Sequence, residues 1–192
     1  NSGLSSTQST TITVNPVAVA DAYTVDAGQA LNVNAASGVL VNDLGTSRHG
    51  DGADDGPAHA VAEEIRAAGG QAVANTDSVA TPEGAEAIVA TALANFGQFD
   101  ILIHNATINT SMPFREMPLE TFSAVLDVHV FGAFHLAKEC FPRMCDQGYG
   151  RVVLISSIAG LYGDKNVAAY ATSKGAVIGL ANTLALEGAE HG

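Results

Sequence analysis

From Val39 onward, short apolar runs alternate with longer helix-forming stretches, and this alternation restricts the fold more than any other feature of the sequence. The apolar runs predict strands at 39–41, 71–75, 100–104 and 152–155. The stretches between and after them predict helices at 57–68, 81–96, 118–145 and 167–187. Strands that alternate with helices are typical of an α/β fold with a doubly wound parallel sheet.

The first 38 residues follow a different pattern, in which β-forming runs are separated by turn residues. Strands are predicted at 10–14, 22–25 and 30–33. Residues 15–25 together with 38–43 resemble a repeat of bacterial cadherin-like, immunoglobulin-like surface proteins. Three strands are too few to close such a sandwich, which needs about seven. We therefore predict two units, a β-rich repeat fragment at 1–38 and an α/β domain at 39–192.

Composition and charge exclude several classes of protein. Hydrophobic residues make up 47% of the 192 residues and charged residues 15%, which favours a globular chain over a disordered one. The formal net charge of −12 disfavours a nucleic acid or an anionic membrane as partner, because phosphate binding needs clustered Lys and Arg. No apolar stretch is long enough to span a membrane, and no signal peptide is visible, so we expect a cytoplasmic protein.

The two cysteines, Cys140 and Cys145, lie five residues apart in a predicted helix. This spacing matches neither a disulfide framework nor a zinc site. We therefore expect reduced thiols and no metal.

Three polar residues in the last quarter of the chain have a spacing that suits catalysis. Tyr170 and Lys174 are four residues apart in a predicted helix, so both side chains lie on one face. An ammonium beside a phenol favours the phenolate, which can then act as a general base and its conjugate acid as a general acid. Ser157 follows the strand predicted at 152–155, at the edge where open α/β sheets bind ligands. On spacing alone, an exposed helical Tyr–Lys pair without a catalytic role fits at least as well.

Ser157, Tyr170 and Lys174 in this context resemble the catalytic set of the short-chain dehydrogenase/reductase family, whose fold is Rossmann-like. The segments 70–79, 128–132 and 158–163 are also similar to the (3R)-hydroxyacyl-CoA dehydrogenase domain of multifunctional β-oxidation enzymes. The resemblance covers residues 39–192. It implies that Tyr170 exchanges the hydroxyl proton of a substrate, that Ser157 hydrogen-bonds the substrate oxygen, and that Lys174 binds the nicotinamide ribose.

The resemblance also implies a site for NAD at the ends of the strands. Besides Tyr170 and Lys174, its residues are Asp43, Asp77, Ser78, Asn105 and Ala106. A carboxylate at the tip of the family's second strand hydrogen-bonds the adenosine ribose and repels a 2′-phosphate, so Asp43 points to NAD rather than NADP. Asp77 corresponds to the aspartate that holds the adenine amino group. From local sequence alone, Asp43 is equally well a turn residue and Asp77 a helix cap.

Two positions depart from the family pattern. Thr107 replaces the glycine of the usual Asn-Ala-Gly turn, and a β-branched residue tolerates neither positive φ nor tight contact well. His129 replaces an asparagine that shapes the helix and supports a water-linked proton relay to the lysine. The resemblance therefore implies a catalytic role for His129, because imidazole can donate and accept as the amide does. A lone histidine is also often a packing residue.

Two family features have no counterpart in the sequence. No glycine-rich turn of the kind that holds the cofactor pyrophosphate precedes Asp43, since Gly3, Gly28 and Gly38 are far apart. The family's last strands would follow Gly192. We therefore expect a Rossmann-like domain that is truncated at both ends, with the β-rich segment joined to it at about residues 39–43, as in a chimera.

The resulting expectation is an NAD-dependent oxidoreductase that transfers a hydride between the nicotinamide and a secondary alcohol or ketone, with a 3-hydroxyacyl-CoA as the substrate type. The alternative is a catalytically inert chimeric fragment that lacks the pyrophosphate-binding turn. The family resemblance implies small-molecule substrates and a homo-oligomer paired through the helices predicted at 118–145 and 167–187.

Overall fold

The computed structural model describes residues 9–14, 21–26, 38–46, 52 and 55–191. The strand predicted at 30–33 lies outside these residues, as does most of the loop that precedes the first helix. Two of the three strands predicted near the amino terminus are present. They are β1, Ser9–Val14, and β2, Asp21–Asp26, which pair antiparallel with Ser9 opposite Asp26.

Strands and helices alternate in the remainder of the chain, as predicted. The strands are β3 Val39–Asn42, β4 Ala72–Asn75, β5 Ile101–His104 and β6 Arg151–Leu154. The helices are α1 Gly56–Ala67, α2 Pro82–Phe96, α3 Leu119–Leu126, α4 Gly132–Gln147, α5 Ala159–Tyr162 and α6 Ala168–Gly188. A short 3₁₀ turn, Phe114–Glu116, precedes α3.

The parallel strands form two pairs within the described residues. β3 pairs with β4, Val39 opposite Ala72, and β5 pairs with β6, Ile101 opposite Arg151. Each pair is parallel because a helical crossover separates its two strands, α1 in the first pair and α3 with α4 in the second. Helix α2 packs on β3, β4 and α4, and α4 also packs on β5 and β6, so the two helices join the strand pairs.

The main core lies between α2, α4 and β5. Its buried side chains include Val89 of α2, Leu102 of β5 and Leu136 of α4, and Leu40 of β3 packs against them. The burial of β5 alternates, with Leu102 and His104 buried and Ile101 and Ile103 half-buried.

Local sequence explains the limits of α2. The Thr81 side chain accepts a hydrogen bond from the Gly84 N–H over 3.1 Å, and Gly97 ends the helix with φ of 79°. Thr81 rather than Asp77 is therefore the N-terminal cap. This removes the capping explanation for Asp77.

The helix predicted at 118–145 is interrupted by a π-helical turn, Asp127–Phe131, between α3 and α4. Such single turns have i→i+5 bonds and occur often at functional sites. His129 lies at the centre of this turn and is 1% exposed. The prediction of one continuous helix is wrong at the position where the sequence analysis places a site residue.

Candidate active site

Tyr170 and Lys174 lie one turn apart on α6, as predicted. The Lys174 ammonium donates a 2.8 Å hydrogen bond to the Ile155 carbonyl, just past the end of β6. Its Nζ lies 5.5 Å from the centroid of the Tyr170 ring. The lysine is 5% exposed, and this burial lowers the pKa of its ammonium. The structure therefore places a partly desolvated cation beside the phenol ring.

Ser157 lies in the turn between β6 and α5, beside the lysine anchor. Its hydroxyl accepts the Ala159 N–H over 3.2 Å, and the neighbouring Ser156 hydroxyl donates to the Lys174 carbonyl over 2.7 Å. A Cβ on Gly160 would lie 2.5 Å from the Lys174 carbonyl carbon, so only glycine allows α5 to approach α6 this closely. Lys174, with the Tyr170 ring beside it, is thus anchored at the carboxyl end of β6, two residues before Ser157.

His129 joins this group through hydrogen bonds at both ring nitrogens. Nε2 accepts the Ile108 N–H over 3.1 Å and lies 2.9 Å from the Thr107 hydroxyl. Since the backbone amide can only donate, the neutral ring carries its proton on Nδ1, which lies 2.7 Å from Ser173 Oγ. Burial, followed by the charge of Lys174, lowers the pKa of His129 to about 4. The imidazole is therefore neutral near pH 7.

Thr107, which departs from the family glycine, forms part of the same network. Among the described residues, the one non-glycine position with positive φ is Asn166, at 65°. Thr107 therefore occupies its turn without the backbone strain that the substitution suggested, and its hydroxyl lies beside His129.

His104 is a second buried histidine that the sequence analysis did not single out. It ends β5 and is 5% exposed, and within the described part of the chain its Nε2 has no hydrogen-bond partner. Burial, followed by the charge of Lys174, lowers its pKa to about 4. A histidine at the end of an apolar run is the only sequence signal for this position.

The tips of β3 and β4 hold the first two residues expected to bind the cofactor. The Asp77 Oδ2 accepts a 2.8 Å hydrogen bond from Asn75 Nδ2, and Asn42 Nδ2 donates to the Asp77 carbonyl over 2.9 Å. The Asp43 carboxylate accepts the Gly45 N–H over 2.7 Å. Both carboxylates are exposed, while Asn75 is buried. Asn42 and Asn75, which the sequence analysis did not single out, therefore orient the tips.

The remaining predicted cofactor residues lie in turns that follow strands. Ser78 follows β4, and its hydroxyl accepts the Ala80 N–H over 3.2 Å. Asn105 and Ala106 follow β5, with Asn105 exposed and Ala106 half-buried. They lead directly into Thr107 and Ile108, which contact His129. This turn therefore joins the expected cofactor side to the catalytic group.

A cavity of about 300 Å³ lies away from these residues. It is lined by the carboxyl-terminal parts of α4 and α6 and by the start of β6, including Met144, Val152 and Leu184. Because Ser157 follows the other end of β6, we assign the candidate site by the polar side chains rather than by the cavity.

Both cysteines of the chain lie among the described residues. Cys140 is buried, which raises the pKa of its thiol to about 12, and Cys145 is half-buried; both are free. The described part of the chain holds no group of three His, Cys, Asp or Glu side chains suited to a metal ion. None of its helices is long and apolar enough to cross a membrane.

Residues 52–192 match the family model for the short chain dehydrogenase. The chain belongs to the short-chain dehydrogenase family. A short-chain type dehydrogenase/reductase of Mycobacterium tuberculosis is 46% identical over 153 residues, which cover 80% of this chain and 54% of that protein. Peroxisomal multifunctional enzyme A of Dictyostelium discoideum is 47% identical over 78% of this chain and 33% of its own length. The predicted similarity to multifunctional enzymes is confirmed.

A solved structure of NAD⁺-bound xylitol dehydrogenase is similar with a TM-score of 0.72 and 32% identity, covering 80% of this chain and 56% of that one. This similarity confirms the predicted Rossmann-like fold. The chain spans about half the length of this xylitol dehydrogenase and of the Mycobacterium tuberculosis protein. The family is one of oxidoreductases that use a nicotinamide cofactor and act on small molecules. The site residues, the division at residue 38 and the cadherin-like resemblance stay predictions.

Proposed function

We propose that this chain carries the catalytic part of an NAD-dependent dehydrogenase that interconverts a secondary alcohol and a ketone. The observation that carries the proposal is the placement of Lys174, buried beside the Tyr170 ring and anchored to Ile155 at the end of β6. Ser157 lies two residues past that anchor. A phenol, an ammonium and a hydroxyl near one strand end are suited to alcohol oxidation, which needs a general base for the hydroxyl proton.

Each of these three residues has a separate role in alcohol oxidation. The Ser157 hydroxyl hydrogen-bonds the substrate oxygen and fixes its position. Tyr170, as phenolate, takes the hydroxyl proton while the carbon–oxygen single bond becomes a carbonyl. Lys174 stabilises the phenolate through its charge. A bound nicotinamide supplies reversible hydride exchange with the carbinol carbon. In the reverse direction Tyr170 returns the proton to the alkoxide oxygen.

The strand tips fit the adenosine end of such a cofactor. Asp43 follows β3 with its carboxylate exposed, and one of its oxygens accepts the Gly45 N–H. The other oxygen can accept a ribose hydroxyl, whereas a 2′-phosphate would be repelled by the charge. Asp77, oriented by Asn75, would accept a hydrogen bond from the adenine amino group. Lys174 would bind the nicotinamide ribose.

We further propose a 3-hydroxyacyl-CoA type of substrate. The similarity to peroxisomal multifunctional enzyme A supports this class. Apolar side chains beside Ser157 support it as well, because α5 exposes most of Leu161 and Tyr162, and Ile158 precedes the helix with 74% exposure. An apolar acyl chain bound there would cover this surface.

Turnover of a 3-hydroxyacyl-CoA with NAD tests the reaction. Tyr170→Phe removes only the phenol oxygen and should abolish turnover. Tyr149→Phe is the matched control, because Tyr149 lies next to the opposite end of β6 and its ring packs under Arg151, with the guanidinium carbon 4.8 Å from its centroid. Turnover retained in Tyr170→Phe would refute the assignment of Tyr170.

A catalytically inert chain is the second candidate. It is favoured by the sequence before Asp43, which contains no glycine-rich turn to hold the pyrophosphate. Calorimetric titration with NAD and with NADP separates the candidates. Saturable binding with a preference for NAD supports the dehydrogenase, and no binding of either nucleotide at millimolar concentration supports the inert chain.

We also propose a homo-oligomer that pairs through α4. Phe131, next to its start, and Phe134 are each 48% exposed, and His135 stacks on the Phe131 ring and meets the Phe134 ring edge-on. Exposed aromatic rings on one helix favour association. Light scattering after size-exclusion chromatography should show a larger mass for the wild type than for Phe134→Glu. Equal monomer masses would refute this proposal.

A further inference from the structure

The ring of His129 contacts Tyr170 directly. The two ring centroids lie 5.7 Å apart, and the planes meet at 83°. Aromatic rings prefer such an edge-to-face arrangement at this distance. His129 therefore touches the residue to which the proposed function assigns proton exchange, although its own nitrogens face elsewhere.

Both nitrogens of His129 are occupied by groups from other elements. On one side, Thr107 and the Ile108 amide come from the turn after β5. On the other side, Ser173 comes from α6, and its hydroxyl donates to the Tyr170 carbonyl over 2.8 Å. The proton order is thus fixed from the Ile108 amide to His129 Nε2, and from His129 Nδ1 through Ser173 to the Tyr170 backbone.

Tyr170 is held at two points, its side-chain ring and its backbone carbonyl. The imidazole contacts the side-chain ring, and Ser173 binds the backbone carbonyl of the same residue. The π-helical turn brings the imidazole to this place between the turn after β5 and α6. A residue held at both its ring and its backbone keeps a fixed orientation toward a substrate.

We propose that His129 is a positioning residue, a neutral imidazole clamped by Thr107, Ile108 and Ser173 that holds the Tyr170 ring edge to face. This inference rests on the proposed function for its catalytic consequence. The imidazole passes no proton during turnover, because its Nδ1–H is used by Ser173 and its Nε2 by the Ile108 amide. The titratable groups near it are Lys174 and His104, which both oppose its protonation, and Tyr170, whose ring it contacts.

Nuclear magnetic resonance of protein labelled with ¹⁵N at histidine tests the clamp without turnover. The chain has six histidines, so His129→Asn identifies the resonance. We expect the Nδ1–H tautomer and no titration between pH 5 and pH 8. An Nε2–H tautomer, or titration near the unperturbed histidine pKa of about 6.5, would overturn the proposal.

The ring contact has its own test in the same spectra. Tyr170→Phe keeps an aromatic ring beside His129 and should leave the imidazole proton shifts close to those of the wild type. Tyr170→Leu removes the ring and should move them, while Tyr149→Leu, at the other end of β6, should not. Equal spectra for Tyr170→Phe and Tyr170→Leu would show that the rings do not touch.

Kinetics distinguish positioning from proton relay. Ser173→Ala keeps the imidazole but removes the hydroxyl that holds it, and we expect kcat to fall by roughly tenfold to a hundredfold while KM for NAD changes little. The pH at half-maximal kcat should not move in Ser173→Ala or in His129→Asn. A moved pH profile in His129→Asn would assign it a proton relay instead. Failure of the wild type to turn over would refute the proposed function, while the spectra would still decide the clamp.

Discussion

The carboxyl ends of the two strand pairs differ in how they hold their polar side chains. Past β5 and β6, Lys174 and His129 are buried and bonded to neighbouring elements. Past β3 and β4, the Asp43 and Asp77 carboxylates are exposed and accept hydrogen bonds from residues two positions away. The groups that surround Tyr170 are thus held in place by the fold, whereas the residues expected to bind the ribose and the adenine remain open to solvent. A change at the buried end should alter chemistry or stability strongly, and one at the open end should alter ligand choice.

Removal of the buried charge should have the largest effect. Lys174→Met keeps an unbranched apolar side chain and loses the ammonium, so we expect kcat/KM for the proposed reaction to fall by about 10²–10⁴-fold. The melting temperature should change little, because the lost bond to Ile155 is offset by removal of a desolvated charge. Lys138→Met, at an exposed position of α4, is the control. Wild-type turnover in Lys174→Met would show that the buried end is no more sensitive to substitution than the open end.

Alanine substitutions at two glycines compare a position where α5 packs on α6 with an open position on α6. Gly160→Ala places a methyl group 2.5 Å from the Lys174 backbone and should lower the free energy of unfolding by about 1–3 kcal/mol. Gly179→Ala, on α6 with no atom within 4 Å of the new Cβ apart from its own helix backbone and chain neighbours, should raise it by roughly 0.5–1 kcal/mol. Urea denaturation measures both. A Gly160→Ala protein as stable as Gly179→Ala would mean that α5 does not approach α6 as described.

Acid should weaken the buried end through its two histidines. His104 and His129 have pKa values of about 4 in the fold, compared with 6.5 in an unfolded chain. The unfolded chain therefore binds protons first, so their contribution to stability is complete above pH 6.5 and is lost as the pH falls towards 4. The slope is about 1.4 kcal/mol per pH unit for each histidine.

Urea denaturation between pH 7 and pH 4.5 measures this slope. Replacement of both buried histidines by asparagine should flatten the profile, whereas His59→Gln, at an exposed position of α1, should not. An unchanged slope in the double variant would show that neither histidine is kept neutral by burial.

Replacement of Asp43 at the open end should have the smallest effect, a change in the preference between NAD and NADP. Asp43→Asn keeps an oxygen for the Gly45 N–H and removes the charge. We expect the Kd for NADP to fall by about tenfold, or about 1.4 kcal/mol, with little change in stability. Asp100→Asn, before the other end of β5, is the matched control. Calorimetry that finds no change in the ratio of NAD to NADP affinity would leave Asp43 as a turn residue.

The sequence predicts the elements well because their signals are local. Apolar runs place all four parallel strands within a residue or two, and Thr81 marks the start of α2. Tyr170 and Lys174 share a helix face because of their spacing alone. The separation of the strands into two pairs could not be predicted, because pairing depends on contacts between distant segments.

The polar network of the site is also hidden from sequence. Thr107 and Ser173 lie 66 positions apart, yet both contact His129 through the π-helical turn. A hydrophobic pattern of period 3.6 predicts a regular α-helix and does not predict a turn with i→i+5 bonds. His104 is buried as well, and its ring lies beside Gly132 of α4, where an added Cβ would be 3.2 Å from His104 Cε1.

The π-helical turn Asp127–Phe131 is a position between α3 and α4 where the chain can lose one residue without a change in helix packing. An i→i+5 turn contains one residue more than an α-helical turn, so loss of one residue there would restore a regular helix. Helices α3 and α4 would keep their phase, and buried positions such as Val125 and Cys140 would stay in the core. Loss of one residue elsewhere in α4 would rotate the rest of the helix by about 100° and expose them. A homologue one residue shorter at this turn would therefore keep the fold and give up the imidazole clamp.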